Sequence, residues 1–414
     1  MSAPAIVVTG IGVRSPLGSG VDAFWRGALD GAVATRPLTR FDTERLSSDR
    51  GGEIAWGAGA GHVAGGGGPP DRIPDASSAD TDAPLAVRLA EQVAADAVAD
   101  AQLSFDAVAP ERVGVCIGTV MGTRPAVERW LQSDPAARED PRAAAWADPA
   151  LLSRAPARAL GLGGPNCVVA TGCAAGNSAL AWGAEALRAG RADAMVVGGA
   201  DEISQAMLMM FDSFGLLAPD AVRPFDADRE GLLLGEGAAA FVLERAADAR
   251  ARGARIHGRL LGWANVADAF HITSPHPEAR GAVRAMRRAL ERADVEASAV
   301  DHISAHGTGT PANDAVEARA IRDVLGSATD EVPVTALKSL LGHSQGAASA
   351  LEAAACLLAI RDGLVPPVGN YVTRDPACDV DVVAGEARAV PVEVALSNAF
   401  GFGGNIECVV LGAP

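Results

Sequence analysis

Aromatic residues are scarce in this 414-residue sequence, at 4% against 49% hydrophobic residues overall, so any core must be mostly aliphatic. Positive charge is short as well. Lys and Arg together number 35 against 51 Asp and Glu, which leaves a formal net charge of −16 and a pI near 4.9. That deficit argues against nucleic acid or an anionic membrane as the main partner; an acidic partner would need a local basic patch. Metal-type cysteine spacing is missing too. Cys116, Cys167, Cys173, Cys356, Cys378 and Cys408 are scattered and form no CxxC pair, a pattern that suits neither a zinc site nor a disulfide framework. No segment reaches the ~18 uninterrupted apolar residues of a membrane span. The opening MSAPAIVVTGIGVRSPLG has no charged leader. It predicts a strand over Ile6–Thr9 and then a glycine turn, not a signal peptide. Together these absences describe a cytoplasmic protein with reduced thiols.

Alanine and glycine are plentiful, with 47 glycines, which points to close packing of helices on sheet. The length suits two to three domain-sized units. Strand-like and helix-like runs alternate along the chain, the mark of an α/β fold. Ala86–Ala101 reads as a helix. Arg112–Val120, Ala194–Asp201 and Gly235–Ala246 read as strands. After ARARGARIHG the alternation restarts, so a boundary falls between residues 257 and 258, and each half carries a similar set of elements with no letter-by-letter repeat. Trp56–Pro70, WGAGAGHVAGGGGPP, is of low complexity. It follows no clear strand and ends in two prolines, so it predicts a mobile surface loop and not a dinucleotide site.

Cys173 lies where the apolar run Cys167–Ala170 stops and an alanine-rich run begins. The first reads as a short buried strand, Thr171-Gly172 as a turn, and Ala174 onward as a helix. A thiol at a helix N-terminus is favoured as thiolate, although free cysteine also packs as a small core residue. His306 follows a strand-like Ile303-Ser304-Ala305 and precedes a Gly/Thr turn, with His302 earlier on the same run. His343 sits between a glycine and a long alanine-rich helix. Three reactive side chains thus share one context, the end of an element, which is where α/β sheets bind ligands.

These segments carry a resemblance. VVTGIGVRSPLG, VATGCAAGNSAL, ADAMVVGGAD, RPFDADREGLLLGEGAAAFVLE, HGTGTPANDAVE, KSLLGHSQGA and SNAFGFGGN, in this order along nearly the whole chain, are similar to the β-ketoacyl synthases, the elongating condensing enzymes of fatty acid and type II polyketide synthesis. The resemblance implies the thiolase fold, two duplicated halves in five αβαβα layers. It implies Cys173 as the acyl-accepting nucleophile and His306 and His343 as the two catalytic histidines. Lys338 matches the family lysine five residues before the second histidine, and Glu317 the acidic residue eleven after the first. These two would pair, either to orient the histidines or as a purely structural bridge. Thr308 and Thr310 match threonines that bind the pantetheine arm, Phe400 the acyl-pocket gate, and Phe402 the supplier of one oxyanion-hole N–H. Met121, in GTVMGT, matches the segment that closes the far end of the acyl pocket at a dimer interface; a merely structural role stays open. No metal or organic cofactor is implied.

The implied partners are acyl carrier protein, bearing malonyl and acyl groups, and a second chain, either another copy or a homologous chain-length factor. TGCAAG stands where the family usually has TACxSG, REGLLL where it has RDGFV, so that Leu232 replaces a phenylalanine, and GFGGNI and Ser349 are also atypical. GNYVTRDPACDVD leans toward the polyketide branch. A homodimeric fatty-acid synthase and a non-catalytic chain-length factor remain as alternatives, the latter disfavoured by the intact Cys173. A thiolase is disfavoured because Cys408 reads as strand core. Two arginine groups could dock an acidic carrier: Arg284, Arg287, Arg288 and Arg292 on one helix face, or Arg124 and Arg129.

Overall fold

A computed structural model describes residues 4–54, 83–105, 107–134 and 146–414. The low-complexity stretch Trp56–Pro70 lies outside them. The main strands are β1 (Ile6–Ser15), β2 (Val113–Gly118), β3 (Asn166–Val169), β4 (Ala194–Asp201), β5 (Gly237–Arg245), β6 (Gly258–Ala267), β7 (His302–Ser304), β8 (Pro333–Thr335), β9 (Asp381–Val382), β10 (Val394–Gly401) and β11 (Asn405–Gly412). They run side by side in the order β9-β8-β7-β10-β11-β6-β1-β5-β4-β2-β3, with Gly18–Ser19 folding back on β1. Read outward from the central β6–β1 pair, both flanks have the same plan. An opening strand meets an antiparallel partner, then a second antiparallel step leads to strands running parallel.

Helices α1 (Leu85–Asp100), α2 (Arg124–Gln132), α3 (Ala175–Arg188), α4 (Arg280–Ala293), α5 (Pro311–Leu325) and α6 (Ala348–Asp362) complete the frame. α1 covers the outer face of β1, β5 and β4. α4 covers the outer face of β6 and β11, with α5 packed beside it. α3 and α6 lie between the two flanks, touching each other and strands of both. The sequence of layers is helix, sheet, helix pair, sheet, helix: the duplicated five-layer arrangement.

Composition explains the central pair. α6 is alanine-rich and buried on every side from Ala348 to Ala359, as a helix enclosed by two sheets must be. α3 approaches it through Gly176, where a Cβ would lie 2.6 Å from the Ala350 amide nitrogen. α4, on the outside, instead buries Ala282, Ala285, Met286, Ala289 and Leu290 and turns its arginines outward.

Two local readings change. β1 does not turn after Thr9; it continues to Ser15. Its glycines serve packing instead. A Cβ on Gly10 would stand 2.0 Å from the Ala97 carbonyl oxygen of α1, and one on Gly12 2.2 Å from that of Val93. The segment before Cys173 is a strand, but a half-exposed one at the edge of the sheet. Among the described residues no helix is long and apolar enough to cross a membrane.

Candidate active site

The repeated plan brings the reactive residues together. α3 and α6 occupy equivalent places in the two flanks, and each is entered through a short 3-10 turn, Gly172–Ala174 and Gln345–Ala347. Cys173 is in the first turn; His343 lies just before the second. Because the helices meet near their starts, the His343 Nε2 is 3.1 Å from the Cys173 Sγ, although 170 residues separate them. His306 follows β7, and its ring centre is 5.6 Å from that of His343, edge to face. The thiol and both imidazoles face a cavity of about 480 Å³ that Thr308, Thr310, Phe400 and Phe402 also line.

Hydrogen bonding fixes one tautomer. The Gln345 amide N–H donates to His343 Nδ1 at 3.1 Å. In the neutral ring the proton is therefore on Nε2, directed at the sulfur. Both histidines are neutral: burial and the Lys338 charge hold each far below the usual imidazole range, and His343 adds to the effect at His306. Burial pushes the Cys173 thiol up to about 11 against the pull of Lys338. Desolvation thus outweighs any help from the helix N-terminus, and the resting group is a thiol. His302 stays apart from this group, buried with Nε2 3.0 Å from Thr335 Oγ1.

Lys338 is the only lysine in the chain. It is 2% exposed, and its Nζ donates to the His306 carbonyl at 2.7 Å and to Glu352 Oε1 at 2.5 Å. The expected pairing with Glu317 is therefore corrected: the partner is Glu352, on α6. Glu317 instead accepts the His306 and Gly307 amide N–H groups at 2.7 and 2.8 Å and the Asn398 side chain at 3.2 Å. It shapes the turn that carries His306. Spacing from the histidines could not distinguish two buried carboxylates. Glu352 did leave a signal, as the one charged residue between Ala348 and Ile360. Removing it should leave a buried ammonium alone, at a cost of ~3–5 kcal/mol. In urea denaturation Glu352→Ala should be strongly destabilised, and adding Lys338→Met should recover much of the loss. Recovery in a Glu317→Ala background in place of the Glu352→Ala one would reverse this correction.

The remaining expected residues are placed as follows. Phe400 is buried with its ring centre 5.5 Å from that of His306, while the Phe402 ring packs at a tilt against Phe211, centres 5.5 Å apart. A Cβ on Gly401 would lie 3.2 Å from the Cys173 amide nitrogen, so the strand end bearing Phe402 abuts the nucleophile turn. The Thr308 and Thr310 hydroxyls are 2.8 Å apart. Met121 is buried on the turn after β2, its amide held by Asp201, and is not on the wall of this cavity. Of the arginine groups, Arg124 and Arg129 are committed to Glu128 and Glu202. On α4, Arg284, Arg287 and Arg292 donate to main-chain carbonyls. α4 also borders the cavity through Ala282. Cys408 is fully buried in β11, as a strand-core residue.

Comparison with known proteins gives the family and the fold. Family models described as the N-terminal and C-terminal domains of β-ketoacyl synthase match residues 3–249 and 257–372. The chain is 39% identical to the tetracenomycin polyketide synthase ketoacyl synthase alpha subunit of Streptomyces glaucescens, covering 99% of this chain and 97% of that protein. It is 36% identical to 3-oxoacyl-[acyl-carrier-protein] synthase 2 of Synechocystis, with 97% and 96% covered. Among solved structures, the ishigamide ketosynthase/chain length factor superposes with a TM-score of 0.89 at 38% identity, over 100% of both chains.

Proposed function

This chain belongs to the β-ketoacyl synthase family, and we propose that within it the protein is the catalytic ketosynthase chain of a type II polyketide system, paired with a homologous chain-length factor. It is an acyltransferase that condenses an enzyme-bound acyl group with malonyl-carrier, losing carbon dioxide. The observation that best supports the catalytic reading is the neutral His343 pointing an Nε2–H at Cys173. Such a pair favours stabilising negative charge over removing a proton.

In the proposed mechanism residues up to 257 supply the thiol and those from 258 supply the histidines. Cys173 sulfur attacks the acyl thioester of the carrier. The tetrahedral oxyanion is held by the backbone N–H of Cys173 and of Phe402. It collapses to acyl-Cys173, and the carrier thiolate leaves with the proton that the cysteine gave up. Malonyl-carrier then enters, its pantetheine arm held by Thr308 and Thr310. The bond to the carboxylate breaks, carbon dioxide departs, and the electron pair becomes an enolate on the thioester oxygen. The ring N–H groups of His306 and His343 stabilise that oxygen. Neutral rings suit this role because each must donate without first taking a proton. The enolate carbon attacks the acyl-Cys173 carbonyl, the carbon–sulfur bond breaks, and Cys173 leaves as thiolate and takes a proton from solvent to restore the resting thiol. Lys338 and Glu352 act indirectly, fixing the His306 backbone. Phe400, packed on His306, guards the acyl path.

A tagged copy expressed with candidate homologous chains should retain one of them at equal stoichiometry, and the pair should extend acyl-carrier with malonyl-carrier. A stable homodimer that makes β-ketoacyl-carrier at full rate without a second chain would replace the polyketide reading with the fatty-acid one.

A further inference from the structure

The turn that carries the nucleophile is loosely specified by its own residues. Gly172 sits at φ 63°, in the left-handed region that glycine enters at low cost, and glycine stiffens a turn less than any other residue. Cys173 lies one residue beyond it. Something outside the turn must hold the sulfur in line with His343 and with the amides near Gly401.

A chain of hydrogen bonds reaches the turn from the far side of the cavity wall. Thr171 Oγ1 is 2.6 Å from Ser178 Oγ, one helical turn into α3. Ser178 Oγ in turn donates to Glu407 Oε1 on β11, and Asn265 Nδ2 on β6 donates to the same oxygen. With the Ser178 proton committed to the carboxyl, the Thr171 hydroxyl is the donor in the first contact. Glu407 is 3% exposed, and its Oε2 has no partner among the described residues. A carboxyl is costly to bury in this way, and nothing in the condensation chemistry uses it. Along β11 the neighbouring Ile406 lines the cavity, while Glu407 reaches α3. The strand therefore touches the substrate space with one residue and the back of the nucleophile turn with the next.

We propose that Glu407 is a positioning residue for Cys173, acting through Ser178 and Thr171 to hold the nucleophile turn in the geometry needed for acyl transfer. The proposal rests on Cys173 being the acyl acceptor. It assigns Glu407 to the steps that take place at Cys173 and not to decarboxylation, because neither histidine belongs to the network.

The test separates the half-reactions. Acyl transfer to Cys173 is followed by intact-mass spectrometry with an acyl-carrier donor, and carbon dioxide release is followed with malonyl-carrier. Glu407→Ala and Ser178→Ala should each slow loading by roughly 10–100-fold, the scale of a misplaced reacting group, and leave carbon dioxide release within about twofold. The double variant should be little worse than either single one, since both cut one chain. Glu407→Gln keeps an acceptor for Ser178 and Asn265 and should recover most of the loading rate. Ser178→Ala removes one oxygen only and serves as the probe if Glu407→Ala folds poorly. Loading at the parent rate in both alanine variants would overturn the proposal. So would parallel loss of both half-reactions, or failure of glutamine to rescue. A parent protein that takes no label at Cys173 would instead overturn the assignment of the nucleophile.

Discussion

Cys173→Ala should load no acyl group and form no condensation product, with rates below about one part in 10⁴ of the parent. The fold should survive, because the change removes a single sulfur from a cavity wall and the turn is held by neighbouring groups. Carbon dioxide release from malonyl-carrier should persist, since His306 and His343 are untouched. Intact-mass spectrometry after incubation with an acyl-carrier donor reads the first half, and labelled carbon dioxide the second. Acyl label that remains in the alanine variant, or that maps to Cys167 or Cys116, would remove Cys173 from its role. That control has content. Cys116 and Cys167 lie side by side on β2 and β3 with sulfurs 3.2 Å apart, and the Cys116 contact and Arg191 pull Cys167 below the ordinary thiol range. Neither cysteine of this pair lines the cavity with the histidines.

The histidine variants should split the reaction the other way. His306→Ala and His343→Ala should still take acyl label on Cys173 but lose carbon dioxide release by ~10²–10³-fold each, the usual loss when one donor to a developing oxyanion is deleted. Both rings are held neutral by burial and by Lys338, so histidine protonation should impose no loss of this step between pH 6 and 8. Normal carbon dioxide release in both variants would show that the enolate oxygen is held elsewhere.

Much of this site was legible because each reactive residue stands at the end of an apolar run beside small residues, a local pattern. The motifs then carried the assignment of fold. What local pattern could not show was convergence. That Cys173 and His343 touch depends on α3 and α6 being equivalent elements of two halves with no visible repeat in their letters. Gly10 and Gly12 looked like a turn because glycine commonly punctuates chains; the close approach of α1, which excludes a Cβ there, comes from residues some eighty positions away. The Lys338 partner was missed for a similar reason. Glu317 and Glu352 are both buried near the histidines, and only the direction of α6 decides which carboxylate meets the ammonium.

The solitary lysine has a practical consequence. Every other basic side chain apart from the histidines is an arginine, so acylating reagents that seek aliphatic amines find one side-chain target in the whole molecule, and that target is enclosed at the heart of the site. Its modification must wait for the surrounding structure to open, which makes the rate of amine labelling a native clock for local unfolding events at the catalytic centre. No reporter group has to be engineered, and the one other amine signal to subtract is that of the chain's α-amino group.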